Sequence, residues 1–584
     1  MLLAALSRSS LPGTFASYAH QQFTVAPGWV LTIATDGLLS RIEVSDDEIV
    51  GAESLLCPLN VGSDVKFITA RFSRKLRSLE ILKATISGRP VYYHLGSNGE
   101  FFVSTHIRLL RQAGVVIQEN AEVIPELLIY RTVAPPRTLY RAIEQLPAAG
   151  QILAQIGEHG CSVTVSAGYS LPDGAGRDHD EASISTQVTE FLRAAVGRLK
   201  PVSQNVATLL SGGVDSSILC GLAEQQLDSY DTYSSSYPFE DPEKDFEKTY
   251  ALSAAAALST RHNFFVPNSL DFVKGVVEGL WNAETPLDHL QSVLLHLLFK
   301  HAIPSHLNRV IHGAVAEVAW GTETHMTLGR AGTPRQDLLS TGPALAMLRM
   351  VGAFWPKALA VREGVETVKR LELPLSSAQN PLWEVGAYGD PEWVQAHYRV
   401  SAEDIIRPRY ANLQSFVERP MDDVLALYSF NFQVATNVAL WSKLAEGQGK
   451  IAYYPFADRD LLDFAFSIPW DLKLKSAKHF LRESGRALGI PDAILDRPKR
   501  SFGINSDRWA EKGGVLEPLI PVAAKVVDID ELRSLQGRAS RPAMTLWSLL
   551  NYAILKRLFI LNEPLDVLLS EVADNRQRIA RQQS

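Results

Sequence analysis

Ser211-Gly212-Gly213-Val214-Asp215-Ser216-Ser217 follows the apolar run Val206-Ala207-Thr208-Leu209-Leu210 and precedes the helix-forming stretch Ile218-Leu219-Cys220-Gly221-Leu222-Ala223-Glu224. Strand, Ser/Gly turn and helix together make an anion cradle. Backbone N–H groups of the turn and of the helix N-terminus converge on one point, where the helix dipole favours negative charge. The glycines let the backbone approach a phosphate with no Cβ in between. Asp215, at the start of the helix, is suited to hold a cation that bridges phosphate oxygens. The loop is not of the Walker A type, because G-x-x-x-x-G-K-[ST] does not occur in the chain.

Outward from this loop the alternation continues. Asp231–Tyr237 reads as a strand, a helix is predicted near Phe246–Leu258, and Phe264–Pro267 reads as the next strand. Alternating strands and helices predict a doubly wound parallel sheet. Upstream, Ile184, Val188, Phe191, Leu192, Ala195, Val196 and Leu199 recur at helical spacing, which predicts a helix with a core-facing stripe. Beyond Gly321 the chain reads as mostly helical to its end, with long segments at Met421–Lys443 and Thr545–Leu561.

The first part of the chain reads differently. Phe23–Ala26, Trp29–Thr35, Val91–Leu95, Phe101–Ser104 and Gln151–Ile156 are short runs of β-formers between turn residues. The Gly/Asp/Pro cluster from Gly168 to Asp180 reads as a linker. The expected division is a β-rich domain over residues 1–168, a linker over 169–182 and an α/β domain over 183–584. The length of 584 residues requires more than one core.

Composition narrows the function classes. Hydrophobic content of 46% with 21% charged residues fits a water-soluble globular chain. A net charge of −7 opposes a nucleic-acid partner held through phosphates. Cys57, Cys161 and Cys220 are far apart, so neither a zinc site nor a disulfide framework is expected. The apolar start Met1-Leu2-Leu3-Ala4-Ala5-Leu6 lacks a basic leader, which argues against a signal peptide. Arg349, Pro356 and Lys357 interrupt the one partly apolar stretch, near 343–361. A cytoplasmic protein with no membrane or nucleic-acid partner is the expectation.

The Ser211–Ser217 loop resembles the pyrophosphate loop of ATP pyrophosphatases. Three later stretches resemble, in order, the synthetase part of the asparagine synthetase family. In His312-Gly313-Ala314-Val315-Ala316-Glu317-Val318-Ala319-Trp320-Gly321, Gly313 and Gly321 fall in register with the family's second loop, S-G-x-G-x-D-E. The metal-binding Asp of that loop falls on Glu317. Tyr454-Pro455-Phe456-Ala457-Asp458 resembles V-P-F-L-D, although Ile451-Ala452-Tyr453 lacks the charges that precede it in the family. Lys478-His479-Phe480-Leu481-Arg482, then Leu488–Pro491, then Arg497-Pro498-Lys499-Arg500-Ser501-Phe502 resembles K-x-x-L-R … L-P … R-x-K-x-x-F.

The resemblance implies ATP and Mg2+ as cofactors. It implies that Leu210, Ser211, Gly212, Gly213, Asp215, Ser216, Ser217 and Gly313 bind the nucleotide. It implies Asp215 and Glu317 as metal ligands; Glu317 is one methylene longer than Asp but still a hard oxygen donor. It also implies Lys499 as the catalytic lysine and Lys478 as a second one beside the triphosphate. Departing pyrophosphate gathers negative charge, which fixed ammonium groups stabilise.

Other features depart from asparagine synthetases. Gly88-Arg89-Pro90-Val91-Tyr92-Tyr93 and Phe101-Phe102-Val103-Ser104 resemble strands of the glutaminase domain, yet those enzymes begin Met-Cys and residue 2 here is Leu2. Without a thiolate, no covalent attack on glutamine takes place there. Ala314 stands where asparagine synthetases carry Glu and β-lactam synthetases carry Tyr. An insertion over about 322–450 is longer than in asparagine synthetases.

This combination is most similar to lasso peptide cyclases, the macrolactam synthetases of lasso peptide biosynthesis. The resemblance implies an α/β fold with two parts. One is a β-rich, glutaminase-like (Ntn-type) domain without its nucleophile. The other is a doubly wound ATP-pyrophosphatase domain with a long helical insertion and a helical C-terminus. It implies a precursor peptide as substrate, with a leader peptidase and a leader-binding protein as partners. Two alternatives stay open. One is a small-molecule amide synthetase, such as an ammonia-dependent asparagine synthetase or a β-lactam synthetase. The other is a catalytically inactive nucleotide-binding scaffold.

Overall fold

The computed structural model describes residues 2–8, 19–35, 40–54, 66–166, 169, 179–228, 231–238, 242–321, 387–410, 423, 426–427, 429–430, 434–497 and 506–583. Runs of β-branched and aromatic residues between turns make the strands of the first 166 residues. They are β1 (Leu2–Ser7), β2 (Ala19–Ala26), β3 (Trp29–Thr35), β4 (Ser40–Val44), β5 (Glu48–Ser54), β6 (Lys66–Ser73), β7 (Ser78–Lys83), β8 (Tyr92–Leu95), β9 (Phe101–Ser104), β10 (Glu144–Gln145), β11 (Gln151–Ile156) and β12 (Cys161–Ser166). Two antiparallel sheets result, in the orders β10-β8-β9-β1-β3-β2 and β12-β11-β7-β6-β5-β4. The apolar start of the chain is their centre. All six residues of β1 are buried, and Leu6 pairs with Leu31 on one side and Phe101 on the other. The sheets meet face to face at Gly51 of β5, where a Cβ would stand 3.1 Å from Ile33 and 3.5 Å from Leu2. Helices α1 (Ile107–Gln112) and α2 (Ile124–Tyr130) follow β9.

The parallel sheet begins after α3 (Glu181–Gly197), whose Ile184, Val188, Leu192, Ala195 and Val196 are buried as the stripe predicts. The Asp180 side chain caps this helix by accepting from Ala182 N at 3.3 Å. The helix therefore starts within the stretch read as linker; residues 170–178 of that stretch lie outside the described residues. Then come β13 (Val206–Leu209), α4 (Val214–Gln226), β14 (Asp231–Ser235), α5 (Pro242–Ala257), β15 (Arg261–Phe265), α6 (Ser269–Ala283), α7 (Leu290–Leu297), β16 (Arg309–Ile311), α8 (Ala316–Trp320), α9 (Ala439–Glu446), β17 (Ile451–Tyr453), α10 (Arg459–Ser467), α11 (His479–Ala487) and α12 (Arg541–Leu555). The strand order is β15-β14-β13-β16-β17, all parallel. The chain winds from β13 to one edge, then crosses to β16 and the other edge. The order reverses between β13 and β16, and open sheets of this kind bind ligands at the carboxyl ends of the strands at such a switch point.

Several expectations change in detail; β15 covers Arg261–Phe265 rather than Phe264–Pro267, and α12 ends at Leu555 before a π-helical turn at Lys556–Ile560. The segment expected to be helical over Met421–Lys443 is broken, among its described residues, by a π-helical turn at Val434–Val438 before α9. The stretch read as mostly helical beyond Gly321 contains β17, an edge strand of three buried residues. Three residues are too few to show a period. Residues 322–386, much of the expected insertion, lie outside the described residues.

A charge cluster centred on the fully buried Glu284 joins the antiparallel sheets to the parallel-sheet region. Glu284, at the C-terminus of α6, receives the amides of Ile107 (3.0 Å) and Arg108 (3.1 Å) at the start of α1. It also receives the Arg108 side chain at 2.8 Å and the Lys443 ammonium at 2.7 Å. Lys443 Nζ donates in addition to the Thr105 carbonyl at 3.2 Å. Burial lowers the Lys443 pKa against the opposing pull of Glu284. Cys161 and Cys220 are free thiols; burial pushes Cys220 up to about 12, so it is not a ready nucleophile. No helix among the described residues is long and apolar enough to cross a membrane.

Candidate active site

At the end of β13, Leu210 N donates to the Tyr233 carbonyl at 3.0 Å and the chain turns away from the sheet. Gly212 has φ +70°, and a Cβ there would run into the Tyr250 carbonyl and lie 2.9 Å from Ala251 N. Only glycine meets both demands. The turn is closed by its serines. Ser211 N donates to Ser216 Oγ at 3.2 Å, and Ser216 Oγ donates to the Gly213 carbonyl at 3.2 Å. Gly213 is the N-cap of α4, and Ser217 Oγ is buried with no hydrogen bond. The turn thus holds its shape by its own hydroxyls.

Asp215 lies in the first turn of α4. Its Oδ2 is paired with the Lys478 ammonium, and its Oδ1 is buried and accepts no hydrogen bond. Lys478 caps α11 with φ +57°, a conformation uncommon outside glycine and concentrated at functional sites. Arg497 comes to the same loop. Its guanidinium covers the Tyr250 ring at 4.6 Å, and Nη2 lies 3.8 Å from where a Gly213 Cβ would be.

The second loop leaves β16. His312 N donates to the Tyr453 carbonyl at 2.9 Å. Gly313 then packs onto the first loop, where a Cβ would lie 3.3 Å from Ser216 N and 3.5 Å from the Asp215 Cβ. Val315 takes φ +76°, strained for a β-branched residue, and starts the short α8. Half-buried Glu317 sits in the first turn of α8, one turn beyond the contact between the loops. The orphaned carboxylate oxygen of Asp215 fits a divalent cation that takes most of its ligands from phosphate and water.

The His312 ring stacks on Trp441 of α9 at 4.9 Å and tilts against Tyr454 at 5.5 Å. Its Nδ1 accepts the Ala314 amide at 3.0 Å. Burial lowers its pKa to about 4. Trp441 Nε1 donates to Ser292 Oγ at 3.2 Å, and Ser292 Oγ to Asp288 at 2.8 Å. From the antiparallel region, Gly88 packs on this group, and a Cβ there would lie 2.9 Å from the Tyr454 ring.

A profile of asparagine synthase matches residues 187–531, more than half of the chain. The chain belongs to the asparagine synthase family. It is 22% identical over 534 residues to a putative glutamine-hydrolysing asparagine synthetase of Mycobacterium tuberculosis, covering 85% of this chain and 76% of that protein. It is 20% identical over 427 residues to asparagine synthetase 1 of Bacillus subtilis, covering 72% and 65%. As a member of the asparagine synthase family, the protein is an ATP-dependent carbon–nitrogen ligase.

Against this family assignment, the structure brings together Ser211, Gly212, Gly213, Asp215, Ser216, Gly313 and Lys478 around one loop. Lys499 lies outside the described residues. The Tyr454–Asp458 match has a local role. Pro455–Ala457 forms a single 3-10 turn, and Asp458 caps α10 by accepting from Asp460 N at 3.2 Å while pairing with Arg198. Leu2 is buried inside β1, with its amide donated to Thr105 Oγ1 at 3.0 Å. His312 and Arg497 are site residues that their motifs alone do not mark. Arg497 is the Arg of the R-x-K-x-x-F match but carries no role in that reading, and His312 stands where the second loop of the family has Ser; the packing of β17, α9 and α5 shows where the two stand.

Proposed function

We propose that this asparagine synthase family member closes a macrolactam in a ribosomally made precursor peptide. The observation that carries the reading is the acyl side of the cleft. There Ala314 offers only a methyl group beside an assembled nucleotide loop, while position 2 holds a buried leucine rather than a thiol. A site without a delivered small amine, and with only a methyl group at position 314, suits a substrate that brings its own amine.

The proposed reaction begins with ATP on the Ser211–Ser217 loop, its phosphates against the start of α4. An Asp or Glu side-chain carboxylate of the peptide attacks the α-phosphorus, and pyrophosphate leaves. Lys478, and Lys499 by resemblance, stabilise the charge that builds on the leaving group. Mg2+, held by Asp215 Oδ1 and Glu317, would supply further charge neutralisation on the phosphates. The peptide's N-terminal amine then attacks the acyl carbon, AMP departs, and an amide ring closes. An unperturbed α-amine titrates near about 7.7–8.0, so a usable neutral fraction exists at pH 7 without a dedicated base. Orientation is the larger contribution, since ring closure needs the amine held within reach of the acyl carbon. A leader peptidase that frees the amine and a leader-binding protein that delivers the peptide are the partners this chemistry calls for.

The names of the relatives favour a second reading, amide formation on aspartate or another small acid. One assay separates the two. Purified protein is given Mg·ATP with leader-free precursor peptide, with aspartate plus ammonium, or with neither, and AMP and peptide mass are followed. AMP release with loss of one water from the peptide supports the cyclase. AMP release only with aspartate sinks it in favour of the small-molecule synthetase. No AMP under any condition, in the presence of both partner proteins, leaves the nucleotide-binding scaffold.

A further inference from the structure

We infer that His312 is a catalytic residue of the acyl half of the cleft, presenting its Nε2–H to the acyl oxygen of the activated substrate. The inference rests on the adenylation reading above. The second loop divides its work by side. The Gly313 backbone lies against Asp215 and Ser216 on the β13 side. The His312 ring leans the other way, onto Trp441 of α9 and Tyr454 at the end of β17. In an AMP-forming ligase the acyl group must sit next to the α-phosphate. With the Ser211–Ser217 loop at the end of β13, the His312 ring stands on the β17 side of the second loop, the side on which an acyl group next to the α-phosphate would lie.

The ring is set up as a donor. Nδ1 accepts the Ala314 amide, so it carries no hydrogen and the ring proton belongs to Nε2. Nε2 makes no hydrogen bond to any described residue. Two flanking aromatic rings fix the plane of the imidazole, and it is only half-buried. The rings packed around it desolvate the imidazole and lower its pKa to about 4, so it is uncharged at neutral pH and keeps one donor.

The step this serves is balanced without proton transfer from His312. The amine nitrogen bonds to the acyl carbon, and the carbonyl π pair moves onto oxygen, where Nε2–H receives the charge. Collapse re-forms the carbonyl and breaks the bond to AMP. The extra proton on nitrogen passes to the departing phosphate or to water. One such donor is worth roughly 10²–10³ in rate.

The test uses a probe that does not require the peptide to be known. Binding of 5′-O-(N-acetylsulfamoyl)adenosine, an acyl-adenylate mimic, and of AMP is measured by calorimetry for wild type, His312→Gln and His312→Leu, with melting temperatures as a check on folding. The Gln amide nitrogen can stand where Nε2 stands. The expected result is probe affinity weakened about fivefold to tenfold in His312→Leu, largely restored in His312→Gln, with AMP affinity unchanged in both. Wild-type affinity for the probe in His312→Leu overturns the inference. So does equal loss of probe affinity in both variants, which would give the ring a packing role only. If wild type binds AMP but not the probe, the adenylation reading fails first and takes this inference with it.

Discussion

The Lys478 ammonium sits on the Asp215 carboxylate and ties together two segments 263 residues apart in the chain. Both side chains are largely shielded from water, and the second Asp215 oxygen stays without a hydrogen bond. The pair is therefore held beside the Ser211–Ser217 loop, one oxygen engaged and one without a hydrogen bond. Replacing Lys478 with Met should lower the rate of pyrophosphate release by about 10²-fold, the usual scale for one charge-stabilising group. Asp215→Asn should also raise the magnesium concentration needed for half-maximal rate. A loss below threefold in Lys478→Met, measured by coupled pyrophosphate assay, would make the pair purely structural.

Gly212 and Gly449 share a backbone conformation but not a neighbourhood. Both have φ near +70°, yet a Cβ at Gly449 meets nothing within 4 Å, whereas at Gly212 it strikes the Tyr250–Ala251 peptide. Gly449→Ala should cost about 1 kcal/mol, the strain of the left-handed conformation alone. Gly212→Ala should cost about 2–3 kcal/mol, because the loop must also shift. It alone should raise the KM for ATP. Equal urea midpoints and equal KM values for the two variants would contradict this account.

Local signals account for what could be read directly from the chain. The 206–224 unit, the stripe of α3 and the strand runs such as Trp29–Thr35 each carry their pattern within a few residues. β1 did not announce itself, because Leu2–Leu6 is buried on both faces and shows no alternation. β17 is too short to show a period. The His312 group joins residues from β16, α9 and the end of β17, and the Lys443–Glu284 pair spans 159 residues. Such contacts are set by topology, and no window of sequence contains them. Position 314 was legible as a departure from the family, but the ring beside it was not.

Two imidazoles carry an acid-dependent share of stability. Burial lowers the His312 pKa to about 4; burial, with the nearby Arg131 charge, does the same for His289. In the unfolded chain each titrates near about 6.5. The folded state therefore binds fewer protons between those values. Their contribution is complete above pH 6.5, falls as the pH drops toward 4, and changes no further below that. From pH 7.0 to 5.5 each ring should account for about 1 kcal/mol of lost stability. Urea unfolding of wild type and His312→Gln at both pH values isolates the His312 share. An identical pH-dependent drop in the two proteins would mean that the His312 ring is charged in the fold.

Glu284 holds the antiparallel sheets to the parallel-sheet region. Its carboxylate is fully buried and takes two amides from α1, the Arg108 side chain and the buried Lys443. A Gln at this position keeps the shape and one acceptor but removes the carboxylate in direct contact with Lys443, leaving its ammonium in a dry site with the Thr105 carbonyl and the more remote charge of Glu446. Breaking one half of a buried pair typically costs about 3–5 kcal/mol, so Glu284→Gln should fall in that range. Removing both charges, in Glu284→Gln with Lys443→Met, should recover a large part of the loss, since the two changes share one interaction. Denaturant midpoints of the two single variants and the double variant measure that coupling directly. Simple additivity would show that Lys443 is held by the Thr105 carbonyl rather than by Glu284.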